Sequence, residues 1–318
     1  MDFLFILVFM LAFYIAWGIG SNDETMASVA GIGLFSLNTI VLLGGLMDFL
    51  GAIIFGYKVE ETLGKGILVA SRLSHTDAFI IIFSIASWLI IASFKGWPIS
   101  TTHSAIGALL GCAIIKFGVH SINFNILYNV FLGLILSPIF GLIGAMFIEI
   151  FLDKIFLNYF KGLEKRLILT KIFSIFLLIF TLITAFFRGA NDIANATAFL
   201  SIVYGESLYI RIINGIGMAL GLIILGRRVI KSVGNTLIEL TPLTAFSVQI
   251  SVALIMSIGT LLGIPISGTH VLVSAIIGTG IIRKIWINIK GVREILFTWI
   301  ITFPGAALLS LTLSLLLS

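Results

Sequence analysis

Apolar runs about as long as a bilayer is thick recur along this chain, and two of them are followed by the same polar phrase. The runs occupy about 3–19, 34–57, 78–95, 126–152, 172–187, 208–225, 243–262 and 295–317. A helix needs roughly 20 mostly apolar residues to cross the hydrocarbon layer, so each run is a candidate crossing. A water-soluble core cannot absorb this much oil. With 59% hydrophobic and 10% charged residues and a mean hydropathy of +1.21, there is too little polar surface to cover a globule of 318 residues. Shorter apolar pieces at about 25–33, 104–118, 193–204 and 271–282 follow the polar motifs. The expected fold is therefore an all-α polytopic membrane protein with about 10 to 12 helical segments, some of them not full crossings.

The first run has neither a basic stretch before it nor a small-residue cleavage site after it, and it reads as a retained helix rather than a signal peptide. Cys112 is the single cysteine, which excludes an internal disulfide and a thiolate metal site. The formal charge of +5 is carried by Lys and Arg clusters near 58–72, 154–171, 227–231 and 283–293. They flank hydrophobic spans, which fits the positive-inside pattern of a membrane protein and not a nucleic-acid surface. The densest cluster, in LDKIFLNYFKGLEKRLILTK, is expected in the cytoplasm.

The chain repeats itself. Pro98-Ile99-Ser100-Thr101-Thr102-His103 returns as Pro265-Ile266-Ser267-Gly268-Thr269-His270 at an offset of 167 residues, and Gly20-Ser21-Asn22-Asp23 returns as Gly189-Ala190-Asn191-Asp192 at an offset of 169. Between them, Gly56-Tyr57-Lys58-Val59 matches Gly226-Arg227-Arg228-Val229, and Gly64 matches Gly234. The organisation expected is a first repeat at 1–152, a charged linker at 153–171 and a second repeat at 172–318. Duplicated membrane halves suggest a transporter, because two related units rocking about a midplane site give alternating access. An odd number of crossings per half would insert the second upside down, and this inverted topology is the favoured arrangement.

Irregular backbone is tolerated at membrane depth only where protein or trapped water surrounds it. Pro98 and Pro265 should each end a helical piece. The Ser and Thr residues that follow can cap the next piece, giving a broken or re-entrant half-helix. Its free N–H groups and partial positive charge suit an anion. Ser100, Thr101 and Thr102 from one half, with Ser267, Gly268 and Thr269 from the other, could surround a tetrahedral oxyanion; the plainer reading is that they only cap the break.

The second motif pair has the opposite polarity. Asp23 and Asp192 lie deep between apolar runs, where ionisable groups are costly and face a pathway or a partner. Each stands beside an amide, Asn22 or Asn191, so carboxylate and amide oxygens could replace the water of Na⁺, or an Asp could carry H⁺. Capping of the following helix is the alternative. His103 and His270 close the hydroxyl motifs, either as neutral imidazoles bonded to backbone or as groups with a proton or coupling role. His75 and His120 are expected in loops and receive no role. Arg188 could draw anions into a vestibule, but its expected place is the membrane interface, with its head snorkelling to water.

GANDIANAT at 189–197, with PISTTH at 98–103 and PISGTH at 265–270, resembles the inorganic phosphate transporter family. VGNTLIELTPLTAF at 233–246 also looks like that family's segment before its second hydroxyl motif. The likeness spans nearly the whole chain. It implies a secondary transporter of inorganic phosphate coupled to Na⁺ or H⁺, built from inverted repeats, assembled as a homodimer, with no organic cofactor. It also implies that Asn22, Asp23, Asn191, Asp192 and Asn195 form the polar signature. The first half departs from the pattern: Glu24-Thr25-Met26 stands where the family continues with a small or apolar residue, an Ala and a second Asn. Asn195 thus meets Met26 as its counterpart, and Glu24 adds a carboxylate that could take a proton or coupling role. Some relatives carry sulfate, which keeps that anion as an alternative substrate.

Other classes fit less well. No HExxH or GxSxG pattern supports a membrane enzyme. A passive anion channel would not need two Asn-Asp pairs, and a scaffold would not keep such residues in lipid.

Overall fold

The computed structural model describes residues 3–33, 35–68, 73–94, 99–159, 163–205, 207–227, 230, 237–238 and 240–317. Twelve α-helices are described: α1 Phe3–Ser21, α2 Ala27–Ile32, α3 Leu37–Glu61, α4 His75–Phe94, α5 Thr101–Lys116, α6 Phe124–Tyr159, α7 Leu163–Asp192, α8 Ala194–Tyr204, α9 Leu208–Gly221, α10 Pro242–Leu261, α11 Gly268–Arg283 and α12 Ile289–Leu316. The fold is all-helical as expected, and among the described residues seven helical stretches are long and apolar enough to cross a membrane. Their outward faces carry side chains such as Phe147 and Ile300, each at least 70% exposed, which a lipid solvent makes favourable. The protein is a multi-pass membrane protein.

The short apolar pieces appear as α2, α5, α8 and α11. Helix covers most of the segment expected to link the halves, because α6 runs to Tyr159 and α7 begins at Leu163. His75 is not in a loop: it opens α4, and its ring lies 5.0 Å from that of Tyr204. The expected helix stop at Pro98 and the matches at Arg228, Val229 and Gly234 fall outside the described residues.

Packing between the halves is reciprocal. Helix α1 lies on α9 while α7 lies on α3, and α5 lies on α12 while α11 lies on α6. Small residues make the approaches possible. A methyl group at Gly221 would strike the Trp17 carbonyl, and one at the matching Gly51 would strike the Phe186 carbonyl. Gly20 meets the backbone of Met218, and its match Gly189 meets the backbone of Asp48. Close backbone contact of this kind drives helix association in lipid, where there is no hydrophobic force between helices. The last helix of each half also holds a proline, Pro138 in α6 and Pro304 in α12. Because both faces at Gly51 are backbone, nothing there can swing aside. Gly51→Val is therefore expected to cost about 1–3 kcal/mol or more, read as earlier thermal unfolding in detergent.

Candidate functional site

Both hydroxyl motifs build the same local structure. Ser100 is extended at φ −89° and caps α5 by accepting from the His103 N–H at 3.3 Å. Ser267, at φ −96°, caps α11 by accepting from the His270 N–H at 3.4 Å. A capping hydroxyl oxygen that accepts from the backbone still has its own proton to donate. The two helix starts meet: Thr102 Oγ1 donates to the Ile266 carbonyl at 3.3 Å, and the rings of His103 and His270 are 4.7 Å apart. His270 also stacks on Trp299 at 3.7 Å. His103 Nδ1 and His270 Nε2 have no hydrogen-bond partner among the described residues.

Between these starts lies a cavity of about 20 Å³, lined by Ile19, Asn22, Ile99, Ser100, Thr101, Thr102, Arg188, Asp192, Ser267, Gly268 and Thr269. That is room for about one water. Tetrahedral oxyanions are larger, so the helix starts must separate to admit one. A much larger cleft, about 1290 Å³, lies behind the second break between α3, α6 and α10. It reaches Pro265 and Ile266 but none of the motif hydroxyls, and it is lined largely by apolar residues.

Asp23 and Asp192 are both buried at the small cavity, which Asp192 lines directly and Asp23 reaches through Arg188, and neither acts as a helix cap. Asp23 Oδ1 accepts from the Thr25 N–H at 2.7 Å, while the residue capping α2 is Met26. Asp192 is still helical at the end of α7, and its Oδ2 faces Arg188 Nε at 3.2 Å. Asn191 is committed to the second break: its Nδ2 donates to Thr260 Oγ1 at 3.2 Å and to the Ile264 carbonyl at 3.0 Å, and its Oδ1 accepts from the Ile266 N–H at 3.1 Å. Asn22 donates to the Gly18 carbonyl at 3.2 Å and lines the cavity. Asn195 donates to Thr102 Oγ1 at 3.3 Å and leaves its buried Oδ1 unpartnered among the described residues.

Arg188 overturns its expected position. It is 5% exposed and does not snorkel to an interface. Its Nη1 lies 3.0 Å from Asp23 Oδ1, Glu24 Oε1 and Thr25 Oγ1. Its Nη2 lies 3.3 Å from Glu24 Oε2 and 3.2 Å from Thr269 Oγ1. The signal was present in the sequence, because Arg188 and Asp192 stand four residues apart on one face of a helix.

Asp48 was also missed. It sits at 1% exposure in α3, with Asp23, Asp192 and Arg188 as charged neighbours, and among the described residues neither carboxyl oxygen has a hydrogen-bond partner within 3.5 Å. An ionisable residue inside a predicted span was the available clue. A separate buried group at Glu60 takes hydrogen bonds from Thr197 and Ser201 and faces Arg211 at 3.4 Å, tying α3 to α8 and α9.

A family model described as the phosphate transporter family matches residues 18–310. The chain belongs to the phosphate transporter family. Similar relatives include the protein named "Putative phosphate permease" in Pyrococcus furiosus, 30% identical over 97% of this chain and 95% of that one. The protein of the same name in Pyrococcus horikoshii is 31% identical over 96% and 95%. Among solved structures, one titled "The sodium-dependent phosphate transporter" superposes with a TM-score of 0.89 over 99% of both chains at 24% identity, which shows a shared fold. As a member of this family the chain is a permease and not an enzyme, and phosphate is the substrate class that the family supports.

Proposed function

We propose that this phosphate transporter family member is a symporter that carries inorganic phosphate together with Na⁺ or H⁺, built as two inverted repeats around one anion site. The observation that carries the reading is a charge imbalance beside a donor-rich cavity. Four buried carboxyl groups, Asp23, Glu24, Asp48 and Asp192, lie around the guanidinium of Arg188, the one cationic side chain beside them among the described residues. Uncompensated negative charge is very costly out of water. Exchangeable cations or protons offset it, and they do so most effectively when the anion is loaded.

In this reading phosphate lies between the starts of α5 and α11. Ser100, Thr101, Thr102, Ser267 and Thr269 donate hydroxyl protons, Gly268 lets the backbone approach, and Asn22 adds an amide. Asn191 holds the second break in shape. Asp23 and Asp192 supply the cation charge partners, with the free Oδ1 of Asn195 as a neutral ligand. The reciprocal packing of the halves supports a pseudo-twofold relation, and the cavity at their junction gives rocking a place to act. Two repeats at 1–152 and 172–318, a cytoplasmic linker and a homodimer complete the proposal.

Uptake into proteoliposomes tests it. Labelled phosphate is expected to accumulate when a Na⁺ gradient or a pH gradient is imposed, and the effective gradient names the ion. Accumulation of labelled sulfate in its place would move the substrate. Flux that ignores both gradients would replace the symporter with a channel.

A further inference from the structure

Three departures from repeat symmetry at the site meet at one side chain. At the 169-residue offset that relates Gly20 to Gly189, Arg188 corresponds to Ile19, and Glu24 corresponds to Ile193. At the 167-residue offset of the hydroxyl motifs, Gly268 corresponds to Thr101. These three differences are physically one. The Arg188 guanidinium bridges the motif aspartates, with Nη1 at 3.0 Å from Asp23 Oδ1 and Nε at 3.2 Å from Asp192 Oδ2. Glu24 takes the remaining edge of the fork, through Nη1 at 3.0 Å and Nη2 at 3.3 Å. Gly268 leaves the space: a Cβ there would lie 2.8 Å from Arg188 Nε and 2.9 Å from its Cδ.

We infer that Arg188 is a tethered cation that takes the place of one exchangeable cation between Asp23 and Asp192. Two buried carboxylates this close, one of them lining the cavity, would otherwise hold a mobile cation between them, and the guanidinium already holds both, Asp192 through a directed hydrogen bond from Nε and Asp23 through an ion pair at Nη1. Glu24 offsets the charge that Arg188 adds, so the pair leaves the net charge of the site as it would be without either. That explains why the two residues occur together in one chain and are both absent from their matching positions. The consequence is a coupling stoichiometry one cation lower than a symmetric site would have. This inference rests on the cation-coupled reading above.

The test counts bound ions in the purified full-length protein. Arg188→Gln with Glu24→Gln removes the pair without altering net charge. Radiolabelled Na⁺ is titrated against wild type and the double variant, each shown to be folded by its elution and thermal transition. The double variant is expected to bind one more Na⁺ per chain than wild type, and its phosphate uptake is expected to depend more steeply on Na⁺ concentration. Equal Na⁺ counts in the two proteins, including none in either, would overturn the inference. Because binding is counted without transport, a wild type that fails to move phosphate would sink the symporter reading while the ion count still judges Arg188. If the double variant does not fold, Arg188→Lys serves: a point charge that cannot bridge both carboxylates is expected to admit Na⁺ and an unchanged count contradicts the proposal.

Discussion

Asp192→Asn is expected to stop gradient-driven phosphate accumulation in a protein that still folds. The substitution keeps the side chain's shape and an oxygen that can accept from Arg188 Nε, now 3.2 Å away, so the arginine keeps its direction while the site loses one negative charge. Asp192 lines the cavity and is buried, where removing one member of a desolvated charge pair costs about 2–5 kcal/mol. That corresponds to roughly 30- to 4,000-fold in affinity for the coupling cation. Initial uptake rates measured across cation concentrations should show it. Asp23→Asn should behave alike, since an amide oxygen can still accept from the Thr25 N–H. An unchanged cation dependence in both variants would remove the coupling ion from this pair.

Gly268→Thr should abolish transport even though it only copies Thr101 from the other half. The new Cβ would press on Arg188 at Nε and Cδ, and Arg188 is held by Asp23, Glu24, Asp192 and Thr269. It cannot retreat without giving up buried ion pairs. Overpacking of this kind costs about 1–3 kcal/mol, a modest loss of thermal stability set against a large loss of uptake. The diagnostic step is to combine Gly268→Thr with Arg188→Ile and Glu24→Ile, which makes both halves alike at all three places. Recovery of stability in the triple variant would trace the defect to the arginine. A single variant that transports normally would show that the guanidinium moves freely.

Much of this was legible in the sequence because the polar motifs occur twice in an apolar chain. Repetition distinguished Ser100, Ser267, Asp23 and Asp192 from incidental polar residues, and the run lengths anticipated the short helices α2, α5, α8 and α11 closely. Depth was harder to read. Arg188 stands at the end of an apolar run, the usual place for a snorkelling side chain, and only the helix continuing through Asp192 carries it into the interior. Asp48 belongs to no repeated motif, since Met218 occupies the matching place, and its role emerges only when α3 packs against Gly189. Asn191 looked like a ligand, but its amide is engaged with the backbone of a break 70 residues and more along the chain. Contacts of that range are set by packing and leave no local pattern.

The most direct test of the central claim is the position of the anion. A structure determined with phosphate bound should show tetrahedral density between the starts of α5 and α11, within hydrogen-bonding distance of Ser100 to Thr102 and of Ser267 to Thr269, in a cavity wider than the present 20 Å³. Phosphate bound elsewhere, with the two hydroxyl motifs still in contact through Thr102 and Ile266, would contradict it.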